Sequence, residues 1–172
     1  MTSEFVHLHN HSDYSLLDGA QRIDQLVNTI DDLNMDAVAL TEHGNMFSVL
    51  PYYKEAKKAG IKPIIGCEIY VAVGSRFEKK SRSDGGWGNN HLILLAQNFT
   101  GYKNLMKLVT AGYLEGFYYR PRIDMDLLRK YSDGLICMSA CLKGVVPEKM
   151  LKGDYEGAKK EALIFSEIFP DR

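Results

Sequence analysis

The architecture depends first on the stretch Phe5-Val6-His7-Leu8-His9-Asn10-His11, which predicts a β-strand that runs into histidines. Beyond it, short β-branched apolar segments alternate with amphipathic helical segments along the whole chain. This alternation is typical of an α/β fold with parallel strands joined by right-handed crossovers, either as an open doubly wound sheet or as a barrel. A glycine-rich phosphate loop after the first strand would favour the open sheet, and histidines stand in its place.

Apolar periodicity indicates five strands and five helices. We predict strands at 5–8, 37–41, 62–72, 92–96 and 134–139, and helices at 20–33, 47–59, 102–114, 125–131 and 155–169. Gly60 is expected to end the second helix in a left-handed conformation, and Asp154 to cap the start of the last helix. The chain stops just after a helix whose apolar face needs a further strand, so we interpret the sequence as a fragment of a larger fold.

The composition is typical of one soluble globular domain. The 172 residues are 45% hydrophobic, and 21 Lys plus Arg against 22 Asp plus Glu give a net charge of −1. That charge excludes a basic protein that coats DNA, because non-specific duplex binding depends on clustered cations. No apolar run approaches a membrane span and the first residues do not form a signal peptide, so we expect a cytoplasmic protein without membrane contacts.

Two histidines with metal-ligand spacing lie at the end of the first predicted strand. Side chains two residues apart share one face of an extended chain, so His9 and His11 can point their imidazoles at a single ion. A lone H-x-H pair more often consists of hydrogen-bonded core residues, so a metal site needs support from elsewhere. His7 shares this face one step earlier, and we expect a packing or supporting role for it.

Support comes from the ends of two further predicted strands. His43 follows the apolar run 37–41, and Glu68 follows another apolar run, where a carboxylate is costly unless it is paired or bound to metal. In a parallel barrel the loops after the strands build the site, so these side chains should meet at one rim. His91 opens its strand instead of ending it, and only the long excursion 73–90 could bring it to that rim.

The cysteines and Asp18 are ambiguous. An odd number of cysteines without C-x-x-C spacing argues against a disulfide framework and a zinc finger, and Cys67 and Cys137 fit small buried hydrophobic residues. Cys141 ends a predicted strand, which also allows a role at the rim. Asp18 is either a ligand or the cap of the first predicted helix. Since no serine or cysteine nucleophile motif occurs, the mixed histidine and carboxylate set favours metal chemistry with more than one ion.

Six segments of the chain resemble one known family. They are HLHNHSDYSLLDGA (7–20), TEHGNMF (41–47), GIKPIIGCE (60–68), FTGYKNL (99–105), EGFYYRPRID (115–124) and SACL (139–142). Together they resemble the PHP (polymerase and histidinol phosphatase) domain in the form found in bacterial DNA polymerase III alpha subunits. These segments span nearly the whole chain and are specific to the polymerase branch of the family.

The resemblance implies a distorted (β/α)7 barrel that is incomplete here, with about the first five of its seven strands. Residues 1–172 would then be the N-terminal part of a PHP domain. The remaining strands, with an aspartate and a histidine ligand on the last one, and the polymerase core would lie beyond the chain. The resemblance also implies two or three divalent metal ions at the rim, with zinc, manganese or iron favoured over magnesium. Their ligands in this sequence would be His9, His11, Asp18, His43, Glu68, His91 and Cys141.

The activity implied by the resemblance is metal-dependent phosphoester hydrolysis, as a 3′→5′ exonuclease that proofreads during DNA replication. The catalytic residues would be His9, His11, His43 and Glu68, with Glu68 as a bridging ligand. The implied partners are a DNA primer 3′ end or single-stranded DNA, the polymerase core of the same chain and other replisome subunits. The candidates for binding a phosphate or stacking a terminal base are Asp13, Tyr14, Tyr118, Arg120 and Arg122.

Two rival functions remain open at this point. The first is a stand-alone small-molecule phosphatase of the histidinol-phosphatase type, and the polymerase-type segments argue against it. The second is a non-catalytic PHP scaffold that stabilises the polymerase, which lost ligands would mark, and no ligand in the matched segments is lost. The charged run 79–82 can meet a DNA backbone, but a solvated surface run explains it more simply.

Overall fold

The computed structural model describes residues 5–79 and 88–171. Over these residues the chain forms six helices and five strands, which confirms the α/β class. In chain order they are α1 (Ile23–Asp32), β1 (Ala37–Leu40), α2 (Val49–Lys58), β2 (Lys62–Ala72), β3 (Asn89–Ala96), α3 (Phe99–Leu114), β4 (Arg122–Ile123), α4 (Met125–Lys130), β5 (Leu135–Met138), α5 (Val145–Leu151) and α6 (Tyr155–Ile168). None of the helices in the described part of the chain is long and apolar enough to cross a membrane.

Four strands lie side by side in the order β1-β2-β3-β5, and β4 pairs with β2. β1 and β4 run parallel to β2, whereas β3 runs antiparallel to both β2 and β5. The prediction of parallel pairing throughout is therefore wrong for β3. The residues described between β2 and β3, namely 73–79 and 88, contain no helix, and an antiparallel neighbour needs only a loop to reach its place.

The alternation of side chains along the strands separates two faces of the sheet. On one face, Ile69 and Val71 of β2 join Leu94 of β3 and residues of α3 and α4 in the main core. A second core holds β1 against α1 and α2. The opposite face of the sheet carries a smaller apolar cluster that includes Ile93. Glu68 is the cross-strand partner of Ile93, so it lies on this opposite face, away from the helices of the main core.

The stretch 5–11 lies alongside β1, and the strand predicted for residues 5–8 does not form. The backbone NH groups of Ala39 and Thr41 donate to the carbonyls of His7 and Asn10, at 2.8 and 2.9 Å. The step of three residues from His7 to Asn10 thus matches a step of two residues from Ala39 to Thr41. This mismatch interrupts the regular pattern of hydrogen bonds between the two segments. The stretch still runs parallel to β1, which carries its last histidines to the carboxyl end of that strand.

The helix ends confirm two sequence predictions and contradict a third. α1 begins three residues later than predicted, and Arg22 at its cap position makes no side-chain capping bond. Asp18 is therefore no helix cap, and that interpretation is wrong. Gly60 after α2 has a φ of 78°, and Asp154 accepts a hydrogen bond of 2.9 Å from a backbone NH in the first turn of α6, both as predicted. β4 and α5 were not predicted: β4 has only two residues, and α5 buries none of its residues, so it has no apolar face packed inside.

Candidate metal centre

A buried carboxylate, Glu68, lies at the centre of a cluster of four histidines. Its side chain is 1% exposed, and Oε2 lies 2.7 Å from His9 Nε2 and 3.5 Å from His11 Nε2. The other oxygen, Oε1, lies 2.9 Å from His43 Nδ1 and 2.5 Å from His91 Nδ1. Each carboxylate oxygen thus faces two histidines.

Asp18 and Cys141 lie at the margins of this cluster. Oδ2 of Asp18 is 3.0 Å from His43 Nε2, so His43 links the two carboxylates through its two ring nitrogens. Sγ of Cys141 is 3.7 Å from His91 Nδ1 and also accepts the backbone NH of Lys143 at 3.5 Å. The structure thus brings together all seven residues of the predicted ligand set, and their role as ligands stays a prediction.

The strand directions explain how these residues meet. Antiparallel pairing places His91, near the start of β3, opposite Tyr70, which is two residues beyond Glu68 on β2. His43 lies just beyond β1 and forms a parallel bridge with Glu68. Gly44 then donates its NH to the Glu68 carbonyl at 2.8 Å, with a φ of 64°, and a Cβ there would lie 2.8 Å from the Tyr70 ring. The reversed direction of β3 is therefore what brings a histidine from the start of a strand to the same place as the others.

The histidines determine the charge of Glu68. Burial alone would raise the pKa of this carboxyl, but the hydrogen bonds to the four imidazoles outweigh burial and hold the pKa far below its usual range. Burial lowers the pKa of His43, while hydrogen bonds to Glu68 and Asp18 and their negative charges more than compensate, so its pKa is raised. The cluster therefore keeps Glu68 ionised, as a metal ligand must be.

The donor set fits transition-metal ions. Imidazole, carboxylate and thiolate together suit zinc, manganese or iron, whereas magnesium prefers oxygen ligands and water. The ligand atoms of His9, His11 and Glu68 all lie within 4.8 Å of one another, as atoms that share one ion do. Nδ1 of His11 is buried and has no hydrogen-bond partner in the described part of the chain. Such an orphaned nitrogen is costly, and an ion held at His11 Nε2, the ring nitrogen that faces His9, would not satisfy it.

The two arginines predicted to bind substrate have different surroundings. Arg122 is 1% exposed and donates to three backbone carbonyls at 2.9 to 3.3 Å. Its guanidinium supports the neighbouring loops, and this burial argues against the predicted contact with substrate. Arg120 is half-buried and donates to the Tyr70 hydroxyl at 2.7 Å, while the Tyr70 ring touches His91. Of these two arginines, Arg120 is therefore the one linked to the histidine cluster, through Tyr70.

The other predicted substrate contacts divide in the same way. Asp13 and Tyr14 are exposed on the loop between the stretch 5–11 and α1, the loop that also carries Asp18. Tyr118 is half-buried, and the guanidinium carbon of Arg122 lies 5.1 Å from the centre of its ring, so it packs against a structural side chain. Of the charged run 79–82, residues 80–82 lie outside the described residues.

The sequence analysis missed Glu42 and Tyr70. Glu42 is 1% exposed and accepts hydrogen bonds from Ser12 and Ser15. Tyr70 is 2% exposed; burial raises its pKa to about 12, and its ring meets His91 edge to face. Both could have been found: Glu42 is a carboxylate directly after an apolar run, and Tyr70 shares its strand face with Glu68 because the two are separated by one residue.

Over residues 7–172 the chain matches the sequence pattern of the PHP domain. The chain therefore belongs to the PHP domain family, and the resemblance found from its motifs is confirmed. It is 58% identical over 167 residues to the DNA polymerase III subunit alpha of Borreliella burgdorferi, across 97% of this chain and 14% of that protein. It is also 47% identical over 175 residues to the same subunit of Aquifex aeolicus, across 99% of this chain and 15% of that protein.

The chain thus spans only 14–15% of the length of these relatives. Among solved structures, an amidohydrolase from Chromobacterium violaceum with bound sulfate resembles this chain with a TM-score of 0.44 and 20% sequence identity. That likeness covers 62% of this chain and 32% of the amidohydrolase.

Proposed function

We propose that this chain carries most of a metal-dependent phosphoesterase site that acts as a 3′→5′ exonuclease in the alpha subunit of a bacterial DNA polymerase III. The observation that carries the proposal is the contact of one buried carboxylate, Glu68, with four histidines through both of its oxygens. The 58% identity to a DNA polymerase III subunit alpha supports the polymerase context. The remaining barrel strands and the polymerase core then belong to the same polypeptide, which works in the cytoplasm with other replisome subunits.

Glu68 divides the proposed site into two ion positions. The histidine pair at Oε2 would hold one ion, and the pair at Oε1 a second, with Asp18 and Cys141 as further ligands next to the second pair. Such ions would supply a bound water of lowered pKa and would take up negative charge on the leaving oxygen. The protein contributes the ionised bridging carboxylate and fixes the direction of each imidazole through the sheet register.

The surroundings of the cluster favour a DNA 3′ end as substrate. Arg120 is joined to His91 through the side chain of Tyr70, and a guanidinium binds phosphate with two parallel hydrogen bonds. Tyr14 is 39% exposed on the loop that carries Asp18, and an aromatic ring there can stack on a terminal base of any sequence. These side chains are the proposed contacts of a primer 3′ end or of single-stranded DNA.

The test compares His9→Ala with His7→Ala in the full-length subunit with its polymerase site inactivated. His7 is exposed, lies two residues before His9, and contacts the Phe5 ring, with centroids 4.8 Å apart. We expect His9→Ala to slow nucleotide release from mispaired or single-stranded primer ends by about 100-fold with manganese or zinc, because it removes a ligand. We expect His7→Ala to stay within about twofold of the parent protein.

Polymerisation by the same two variants with an intact polymerase site shows whether the subunit is folded. Equal primer degradation by both variants would contradict the proposal, and the domain would then be a scaffold that stabilises the polymerase. Release of phosphate from a small monoester, with no degradation of DNA, would also contradict it and would favour a small-molecule phosphatase.

A further inference from the structure

Glu42 is a buried carboxylate beside the metal centre whose side chain does not contact the cluster itself. It is 1% exposed and forms no ion pair with any residue in 5–79 or 88–171. Its oxygens instead accept the Ser12 backbone NH at 3.2 and 3.3 Å and the hydroxyls of Ser12 and Ser15. A buried carboxylate without a counter-charge depends on such hydrogen bonds for its stability, and bonds to an ionised group are strong ones.

These bonds reach across the sequence to the loop that carries Asp18. Ser12 and Ser15 are 0% and 3% exposed, and the Ser15 hydroxyl also accepts the backbone NH of His43 at 3.1 Å. The Ser15 carbonyl then accepts the NH groups of Asp18 and Gly19 at 3.2 and 2.8 Å. The loop is thus anchored at Ser12 and Ser15 and turns back tightly at its end.

The anchored loop leaves little freedom to the backbone of Asp18. A Cβ at Gly19 would lie 1.7 Å from the Ser12 carbonyl oxygen, so the backbone is close-packed at the turn. Asp18 itself is 60% exposed, and apart from its contact with His43 at 3.0 Å nothing described holds its side chain. The position of its carboxylate over the cluster therefore depends on the loop. Glu42 holds that loop at Ser12 and Ser15, and a backbone bond from Asp13 to the Gln21 carbonyl, at 2.9 Å, also holds it.

We propose that Glu42 is a positioning residue that holds the loop 12–19 so that Asp18 can serve the metal centre beside His43. The inference builds on the proposed metal centre, and it goes beyond it by assigning a role to a carboxylate outside the predicted ligand set. Glu42 follows the parallel strand β1 and directly precedes His43, so one short segment supplies a ligand and also orders the loop that brings the next ligand. A purely structural Glu42 would support folding without any specific effect through Asp18.

The first measurement uses metal-free full-length protein and needs no activity. Glu42→Gln keeps the shape of the side chain and removes its charge. We expect faster hydrogen exchange at the Asp18 and Gly19 amides in this variant, while the amides of β2 and β3 keep their protection. Glu55→Gln is the control, because Glu55 is a partly exposed carboxylate on α2 whose ion pair among the described residues is with Lys58, at 3.3 Å. Unchanged exchange in the loop, or equal acceleration throughout the sheet, would overturn the proposal.

The second measurement is a double-mutant cycle on metal affinity, determined by titration with manganese or zinc. Glu42→Gln alone should weaken binding by about 10-fold or more, as loss of a supporting partner of a ligand does. In an Asp18→Ala background it should cause no further loss, because the residue through which it acts is absent. An equal loss in both backgrounds would overturn the proposal. If Glu42→Gln does not fold, Ser12→Ala, which removes one hydroxyl donor, replaces it in both experiments with the same expected outcomes.

Discussion

His91 on β3 stands opposite Tyr70 on β2, and the two rings meet edge to face with their centroids 5.1 Å apart. The ring of Tyr70 thereby supports an imidazole that faces Glu68. The Tyr70 hydroxyl accepts a hydrogen bond from Arg120, which lies on the loop before β4. One buried tyrosine therefore orients a predicted metal ligand with its ring and a predicted phosphate contact with its hydroxyl.

Two substitutions of Tyr70 should separate these roles. Tyr70→Phe keeps the ring, so metal affinity should stay within about twofold, while KM for DNA rises because Arg120 loses its partner. Tyr70→Leu removes the edge-to-face contact, and metal affinity should fall by about 10-fold. Metal titration and steady-state kinetics measure both effects. Equal metal affinities for the two variants would show that the ring does not orient His91.

Truncation of Arg122 should mainly affect stability, whereas truncation of Arg120 should mainly affect DNA binding. Arg122→Ala leaves buried carbonyls without their donor, and the free energy of unfolding should fall by about 2–4 kcal/mol. Arg120→Ala should cost less than about 1 kcal/mol and should raise KM for DNA. Urea unfolding and kinetics of both variants check this. A larger stability loss for Arg120→Ala than for Arg122→Ala would be the contrary result.

The metal content of the protein can be measured directly. Full-length protein purified with added metal should contain two or three transition-metal ions per chain by elemental analysis, because the donor set combines imidazole, carboxylate and thiolate. A chelator should lower its melting temperature, since ions that bind only the folded state stabilise it. His9→Ala should contain fewer ions than His7→Ala. Less than one ion per chain in the unaltered protein would refute this prediction.

Asp124 makes the stability dependent on pH at the acid end. Burial raises its pKa, but hydrogen bonds from the backbone of Arg76 and Leu127 and from the Arg76 guanidinium outweigh burial, so the net pKa is lowered. Because the folded pKa lies below the unfolded value of about 4, the stabilisation is complete above that value. It is lost as the pH falls through the folded pKa.

Asp124→Asn keeps a residue that can cap α4 and removes the charge. At pH 7 it should lower the free energy of unfolding by about 1–3 kcal/mol, and the difference from the parent protein should shrink towards pH 3. Urea unfolding at both pH values measures it. Asp126→Asn is the control, since Asp126 is 92% exposed on the same helix. A difference that is constant with pH would mean that the charge of Asp124 contributes nothing.

Several parts of the site could be predicted from the sequence because they depend on local rules. His43 and Glu68 were both predicted to follow apolar runs at strand ends. His43 does lie just beyond β1, whereas Glu68 lies inside β2, on its open face. His9 and His11 share a face because strand side chains alternate. The family resemblance is confirmed over residues 7–172, and it implies these same four residues as metal ligands. These inferences need no knowledge of how distant segments pair.

The remaining parts depend on distant pairing. An apolar pattern with a period of two is the same whether a strand is parallel or antiparallel to its neighbour, so the direction of β3 could not be predicted. Arg120 and Arg122 are two residues apart in one motif. Arg120 donates to Tyr70, 50 residues away, whereas Arg122 donates to the carbonyls of Glu78 and Arg76, 44 and 46 residues away, and to the nearby Gly116 carbonyl. Their different roles follow from those partners.

The contacts of the cluster also span long stretches of the chain: His9 meets Glu68 across 59 residues, and Cys141 meets His91 across 50. Closing such long loops costs entropy before any contact compensates, so we expect these groups to come together late in folding. Metal ions therefore find at most the local pair His9 and His11 in the early folding chain, and the complete site is not present to nucleate folding. Contacts that are absent from the transition state act on the unfolding rate. The supply of metal should thus determine how long the folded domain survives, and leave the speed of its formation unchanged.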